Sequence, residues 1–219
     1  MWRMFVGHLA VALGAKSVEP RVPLPAAVAA AFGLDLLWPL LLLLGLETVR
    51  VHPGDTAFTN LAFDAYPWSH SLVLVVGWSV LAWLLARRVL GSPRVAVVLG
   101  VLVFSHWPLD AVVHRPDLPL WPGGPLAGLG VWNSVAGTIA VEGSLLAAGL
   151  WMYARATARR DGTGRWALVA MTALCVGIWI TQPWSPPPPS ATAVAVGALV
   201  LWLLIPWSRW IESHRSEGR

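Results

Sequence analysis

Long apolar stretches, broken by short polar links, run the whole length of the chain. Most reach or approach the length needed to cross a bilayer as a helix. The pattern predicts helices over about Trp2–Ala15, Pro25–Leu46, Ser69–Ala86, Arg94–His114, Asn133 or Ser134 to Tyr153, Trp166–Ile180 and Ala191–Trp207. The first would be only ~21 Å long, so it is a short tilted helix, a buried one or a re-entrant one. Pro39 predicts a kink in the second helix. A polar loop fills 47–68, a Gly- and Pro-rich loop fills 116–131, and a four-proline run stiffens 182–189. His8 interrupts the first apolar stretch, and Leu13-Gly14-Ala15-Lys16 makes a poor cleavage site, so this stretch is read as a retained helix. The expected fold is an all-α polytopic transmembrane bundle of six to seven helices. It forms a single integral membrane domain over 1–219, with a charged cytoplasmic tail at 208–219.

Composition agrees with this class. The 219 residues are 57% hydrophobic and 12% charged, where a soluble domain carries roughly 25% charged residues. Fifteen Trp suit membrane interfaces. The net charge of +4 comes from short loops and does not imply nucleic-acid binding. The lipid bilayer is the expected partner. Loops at 16–21, 87–94 and 155–165, with the tail, hold twelve Lys and Arg, against three on the opposite side (Arg3, Arg50 and Arg115). The positive-inside rule then places the C-terminus in the cytoplasm of a bacterial plasma membrane and the N-terminus outside. A single cysteine, Cys175, excludes an internal disulfide and a thiolate metal cage.

Against this apolar background a few ionisable residues stand out. His106, Asp110 and His114 are spaced four apart, so a helix stacks them along one side with a drift of about 40° per step. His8, Asp35, His70 and Glu142 sit in other apolar segments. Burying a carboxylate in lipid needs a partner, and such a residue is a functional hypothesis by default. A lone His such as His8 more often makes an interhelical hydrogen bond than binds metal. His106 and Asp110, one turn apart, read instead as a site. His114, beside Arg115, is explained equally by a solvated helix end; His70 could cap a helix end, but its place on the outer side favours the site. Asp35 would lie about 18 Å below Glu47, far from His114 at the outer surface, unless the backbone bends. His52, Asp55 and Asp64 read as solvated loop residues, and His214 as a polar-tail residue. The candidate ligands are His8, Asp35, His70, His106, Asp110 and His114, with Asp110 or Glu142 as the proton-handling group. His and carboxylate donors without thiolate suit a divalent metal, Zn first, with Mn or Fe as alternatives. Such an ion lowers the pKa of a bound water and polarises a phosphoryl or carbonyl oxygen.

Gly7-His8, Gly33-Leu34-Asp35, His70-Ser71-Leu72 and the His-x-x-x-Asp of His106 and Asp110 resemble the LexA-regulated, inner-membrane metal-dependent hydrolase-like family of bacteria. The resemblance covers about residues 5–150. It implies a distant similarity to zinc-dependent phospholipase C, with His8, Asp35, His70, His106 and Asp110 as ligands. The family more often has Asp-x-Asp in the second helix, where this chain has the single acid Asp35. The leading expectation is a membrane-embedded hydrolase acting on a phosphoester or lipid-linked substrate. The alternatives are a proton- or ion-coupled transporter using the intramembrane His and Asp, a haem protein with two axial histidines, and a structural membrane protein.

Overall fold

The structure, a computed structural model, describes residues 5–217. The expected helix start at Trp2, and the loop charges Arg3 and Arg219, lie outside the described residues. The helices are α1 (Phe5–Val18), α2 (Leu24–Ala31), α3 (Gly33–Leu43), α4 (Pro67–His70), α5 (Leu72–Leu90), α6 (Pro93–Val113), α7 (Val135–Ala156), α8 (Gly162–Ile180), α9 (Ala191–Ala198) and α10 (Leu204–Ser213). A 3-10 stretch, Leu199–Leu203, joins α9 to α10. Short antiparallel hairpins form from β1 (Thr48–Val51) with β2 (Leu61–Ala65) and β3 (Leu118–Pro119) with β4 (Leu126–Ala127), and β5 (Thr157–Arg159) pairs antiparallel with the distant β6 (Arg215–Glu217). Among the described residues, five helices are long and apolar enough to cross a membrane: α5, α6, α7, α8 and the run Ala191–Ser213. The pair α2 and α3 makes a sixth span if counted together. The molecule is thus an all-α bundle of the membrane-spanning type.

Helix ends follow local chemistry. The hydroxyls of Ser92, Ser134 and Ser190 and the carboxylate of Asp161 accept the amide hydrogens that open α6, α7, α9 and α8. Gly91, at φ 71°, ends α5 in the left-handed region that glycine tolerates. The side chains of α5 face outward for most of its length, including Trp78, Leu81, Trp83 and Leu85. In water that surface would promote aggregation; in lipid it is the required one.

Two departures from the expected helices shape the site. The break in the second span falls at Phe32–Gly33, with a 53° bend, and α3 runs through Pro39. Pro39 costs the helix only the bond to the carbonyl four residues earlier, whereas at Phe32 the chain leaves helical dihedrals (φ −93°, ψ 2°). The third span begins at Leu72, because Ser71 is extended and the preceding turn folds separately as α4. In its described residues, α1 is a 14-residue helix, as short as expected. It runs parallel to α7, with Ala10 against Gly149 and Gly14 beside Met152. Gly149 is 14 residues into α7, so the described part of α1 packs against the second half of that helix.

The two ends of the bundle differ. One carries β1–β2, α4 and β3–β4, and packs Phe58, Leu61, Phe63, Tyr66 and Trp132 into its interior. The other carries most of the basic residues and is held by Lys16, whose Nζ lies 2.7 Å from Glu212. The Arg21 guanidinium beside Glu19 holds that carboxyl down to about 2. The C-terminal segment is no free tail: α10 packs on α2 and α8, β6 pairs with β5, and His214 Nδ1 lies 2.7 Å from Asp161.

Close approach at Gly149 generates a test. A Cβ there would lie 2.3 Å from the Ala10 carbonyl oxygen, whereas Gly33 has nothing within 4 Å. Gly149→Val is expected to destabilise the detergent-solubilised protein by about 2 kcal/mol or more, read as a lowered thermal midpoint. Gly33→Ala should leave the midpoint within a degree or two; equal effects at both glycines would refute the packing described.

Candidate metal centre

On α6, helical spacing alone sets His106 and Asp110 on one face, with His106 Nε2 3.4 Å from Asp110 Oδ2. Three other elements bring ligands to the same point: α1 brings His8, the first turn of α3 brings Asp35, and the last residue of α4 is His70. His8 Nε2 lies 3.2 Å from Asp110 Oδ1 and 3.9 Å from Asp35 Oδ2. His70 Nε2 lies 3.2 Å from His106 Nε2, 3.7 Å from Asp110 Oδ2 and 3.8 Å from Asp35 Oδ1. The His8 and His106 rings stack at 3.8 Å, 7° from parallel. His8, His106 and Asp110 are wholly buried, His70 nearly so, and Asp35 is 6% exposed.

The bend in the second span explains how Asp35 reaches this set. It turns the start of α3 toward α6, and it leaves the Ala31 carbonyl facing His106 Nδ1 at 2.9 Å. A carbonyl only accepts, so Nδ1 carries the proton and Nε2 presents its lone pair to the cluster. His70 is held similarly, its Nδ1 against the Ser69 hydroxyl. That hydroxyl donates to Glu47 Oε2 at 2.7 Å, and Glu47 Oε1 takes the Ser69 amide at 2.8 Å. Metal-binding histidines are oriented by this kind of outer hydrogen bond.

The residues fit a cation. Ligands about 2.1 Å from a tetrahedral centre lie about 3.4 Å apart, close to the 3.2–3.4 Å separations His8–Asp110, His70–His106 and His106–Asp110. Two groups share His106, His8 with His106 and Asp110, and Asp35 with His70 and His106; in each, the ligand atoms lie within 4.8 Å of one another, with Asp35 at the wider spacing of 3.8 Å from both histidines. Asp110 Oδ2 is buried with no hydrogen-bond partner, an expensive state that a cation relieves. Buried His and Asp groups here can therefore hold a metal ion.

His114 and Glu142 stand apart from this set. His114 ends α6 in extended backbone, so the four-residue stacking stops at Asp110. It is neither a ligand of either group nor solvated: it is fully buried, its Nδ1 2.8 Å from Asp117 and its ring 4.4 Å from Trp132. The Tyr66 hydroxyl also donates to Asp117. Glu142, buried on α7, accepts from Trp132 Nε1 at 3.4 Å and joins neither group. The polar loop 47–68 is only partly solvated, because Asp55 is buried against Arg115 at 3.2 Å. Glu47 was the residue missed by sequence reasoning. It looked like the polar boundary of an apolar run, yet it is 2% exposed and supports His70. A lone acid between an apolar run and a strand was its only signal.

Comparisons of the chain with protein-family models, with curated proteins and with solved structures found no match.

Metal content separates the two histidine environments. Elemental analysis of the purified chain, after zinc loading and removal of excess, is expected to show one or two ions per chain. His106→Ala and Asp110→Ala should lose most of this zinc, and His114→Ala should keep it. Retention by the first two variants would rule out the cluster as the binding site.

Proposed function

We propose that the chain is a membrane-embedded, metal-dependent hydrolase whose substrate is a phosphoester carried on an apolar chain. The observation that carries this reading is the pair of overlapping His/Asp groups sharing His106, closed to solvent and free of thiolate. Zn is the preferred ion for such donors, with Mn or Fe as alternatives. When bound, the ion supplies an acidified water and polarises the phosphoryl oxygen. The protein's own part is to exclude bulk water, to hold the two histidines by their Nδ1 protons, and to accept a proton. Glu142, whose Oε2 is buried without a hydrogen-bond partner, is available for that last task, as is the Asp110 oxygen that does not hold the ion.

The apolar part of the substrate is inferred from a groove of about 420 Å³ between the α2–α3 bend, α5 and α6. On α6 it is lined by Leu99 and Val103, on the face that continues to His106 and Asp110. Ala30, Gly33 and Leu34 line it from the bend, and Trp78 and Leu81 from α5. Leu34, Val75 and Val103 pack together at its inner wall. The resemblance of the Gly7-His8, Gly33-Leu34-Asp35, His70-Ser71-Leu72 and His106/Asp110 motifs to those of the LexA-regulated hydrolase-like family points the same way. A transporter built on a broken helix usually has a matching break in a second repeat; among the described residues, the α2–α3 pair is the one bent span.

Activity is tested with p-nitrophenyl phosphodiesters bearing alkyl chains of increasing length, in detergent. Turnover should be abolished by chelation and restored by zinc. It should fall by about 10²-fold or more in Asp110→Asn and rise with chain length. Metal-independent turnover, or zinc-loaded protein inert toward the whole series and toward phospholipids, would count against the proposal.

The charge asymmetry also sets an orientation. The basic end faces the cytoplasm of a bacterial plasma membrane, and the β1–β2 end faces outward. A C-terminal phosphatase reporter, active only outside, should be silent and a C-terminal fluorescent protein bright; the reverse pattern would invert the assignment.

A further inference from the structure

We propose that Glu47 selects the tautomer of His70, and so decides whether that ring can serve as a ligand. Its consequence for metal binding rests on the metal-centre reading above; the proton relay itself does not.

Glu47 reaches this position because the chain turns at Gly45, φ 70°, after α3 and returns beneath the β1–β2 hairpin. Its two oxygens take both donors of Ser69, the amide at 2.8 Å and the hydroxyl at 2.7 Å. An ionised carboxylate accepts only, and a serine hydroxyl has one proton. That proton is committed to Glu47. The Ser69 oxygen therefore meets His70 Nδ1 with a lone pair, and Nδ1 must bear the ring's hydrogen. Nε2 is left bare, aimed at the point shared with His106 Nε2, 3.2 Å away. His106 receives the same instruction from a main-chain carbonyl, which no substitution can reverse. At His70 the instruction comes from a side chain two links away, and so it can be rewritten.

Glu47→Gln rewrites it without changing shape. The amide oxygen stays opposite the Ser69 N–H, because the flipped orientation would set two donors face to face. The NH₂ then donates to the Ser69 oxygen, whose hydroxyl turns its proton toward His70 Nδ1. The ring's hydrogen moves to Nε2 and points into the ligand set. Glu47 is thus a positioning residue, acting through Ser69 on His70.

The experiment uses the full chain in detergent, with ¹⁵N-labelled histidine and the metal removed. Tautomers are read from ¹⁵N–¹H correlations, with His70 assigned through His70→Gln. Zinc affinity is measured separately by chelator competition. The expected result is Nδ1–H at His70 in the wild-type protein, and Nε2–H with zinc affinity reduced 10–100-fold in Glu47→Gln. Ser69→Ala should weaken zinc while Ser69→Thr, which keeps the hydroxyl, should not; this pair gives the answer even if Glu47→Gln fails to fold. Nε2–H in the wild-type protein, an unchanged tautomer in Glu47→Gln, or equal zinc affinity in Ser69→Ala and Ser69→Thr would overturn the proposal. A tautomer switch in a protein that binds no zinc would support the relay and sink the metal reading alone.

Discussion

Two carboxylates and three imidazoles share one dry point among apolar helices, and much of the local backbone is shaped by that fact. Removing Asp35 and Asp110 from water is costly, and the attraction of a partner offsets the cost only when geometry is close. Both acids meet several imidazole nitrogens within 3.9 Å. With neutral imidazoles the set carries a charge of −2, which a divalent cation balances.

Regular spanning helices could not assemble this set. Ligands on straight helices would sit at the depths their sequence positions dictate, and Asp35 would remain far from His70. The bundle departs from regularity at two places, and each departure delivers a ligand: the bend at Phe32–Gly33 brings Asp35 and the separate turn α4 brings His70. Irregular backbone at membrane depth survives only where protein satisfies its polar groups. Here the Ala31 carbonyl at the bend is taken by His106, so the same bond satisfies the backbone and orients the ring.

A second polar network caps this end of the bundle. Arg115 bridges Asp55 and Asp117, and Asp117 holds His114 and Tyr66. It ties the loop after α6 to the β1–β2 hairpin; Phe63 of β2 packs on His114, and Tyr66, just after β2, packs on His70. The Arg115 guanidinium gives this network a fixed cation, whereas the metal cluster is made of His and Asp side chains. The opposite end is secured differently, by Lys16 and the Leu24 amide on Glu212 and by the pairing of β5 with β6.

The linear sequence was enough to establish the helical membrane class, because long apolar runs carry their own meaning in any tertiary context. It also singled out His106 and Asp110, since a spacing of four is local and survives folding intact. His8, Asp35 and His70 were identifiable as costly residues, but their meeting was not: it depends on where the backbone bends. The sequence pointed to Pro39 for that bend, while the chain turns at Phe32–Gly33, where no proline marks it. His114 continued the spacing but not the helix, and so fell into another network. Glu47 acquired its part wholly from tertiary structure. Its link to His70 spans 22 residues to Ser69 and depends on a hairpin folding back over the bundle, a long-range contact that no local pattern encodes.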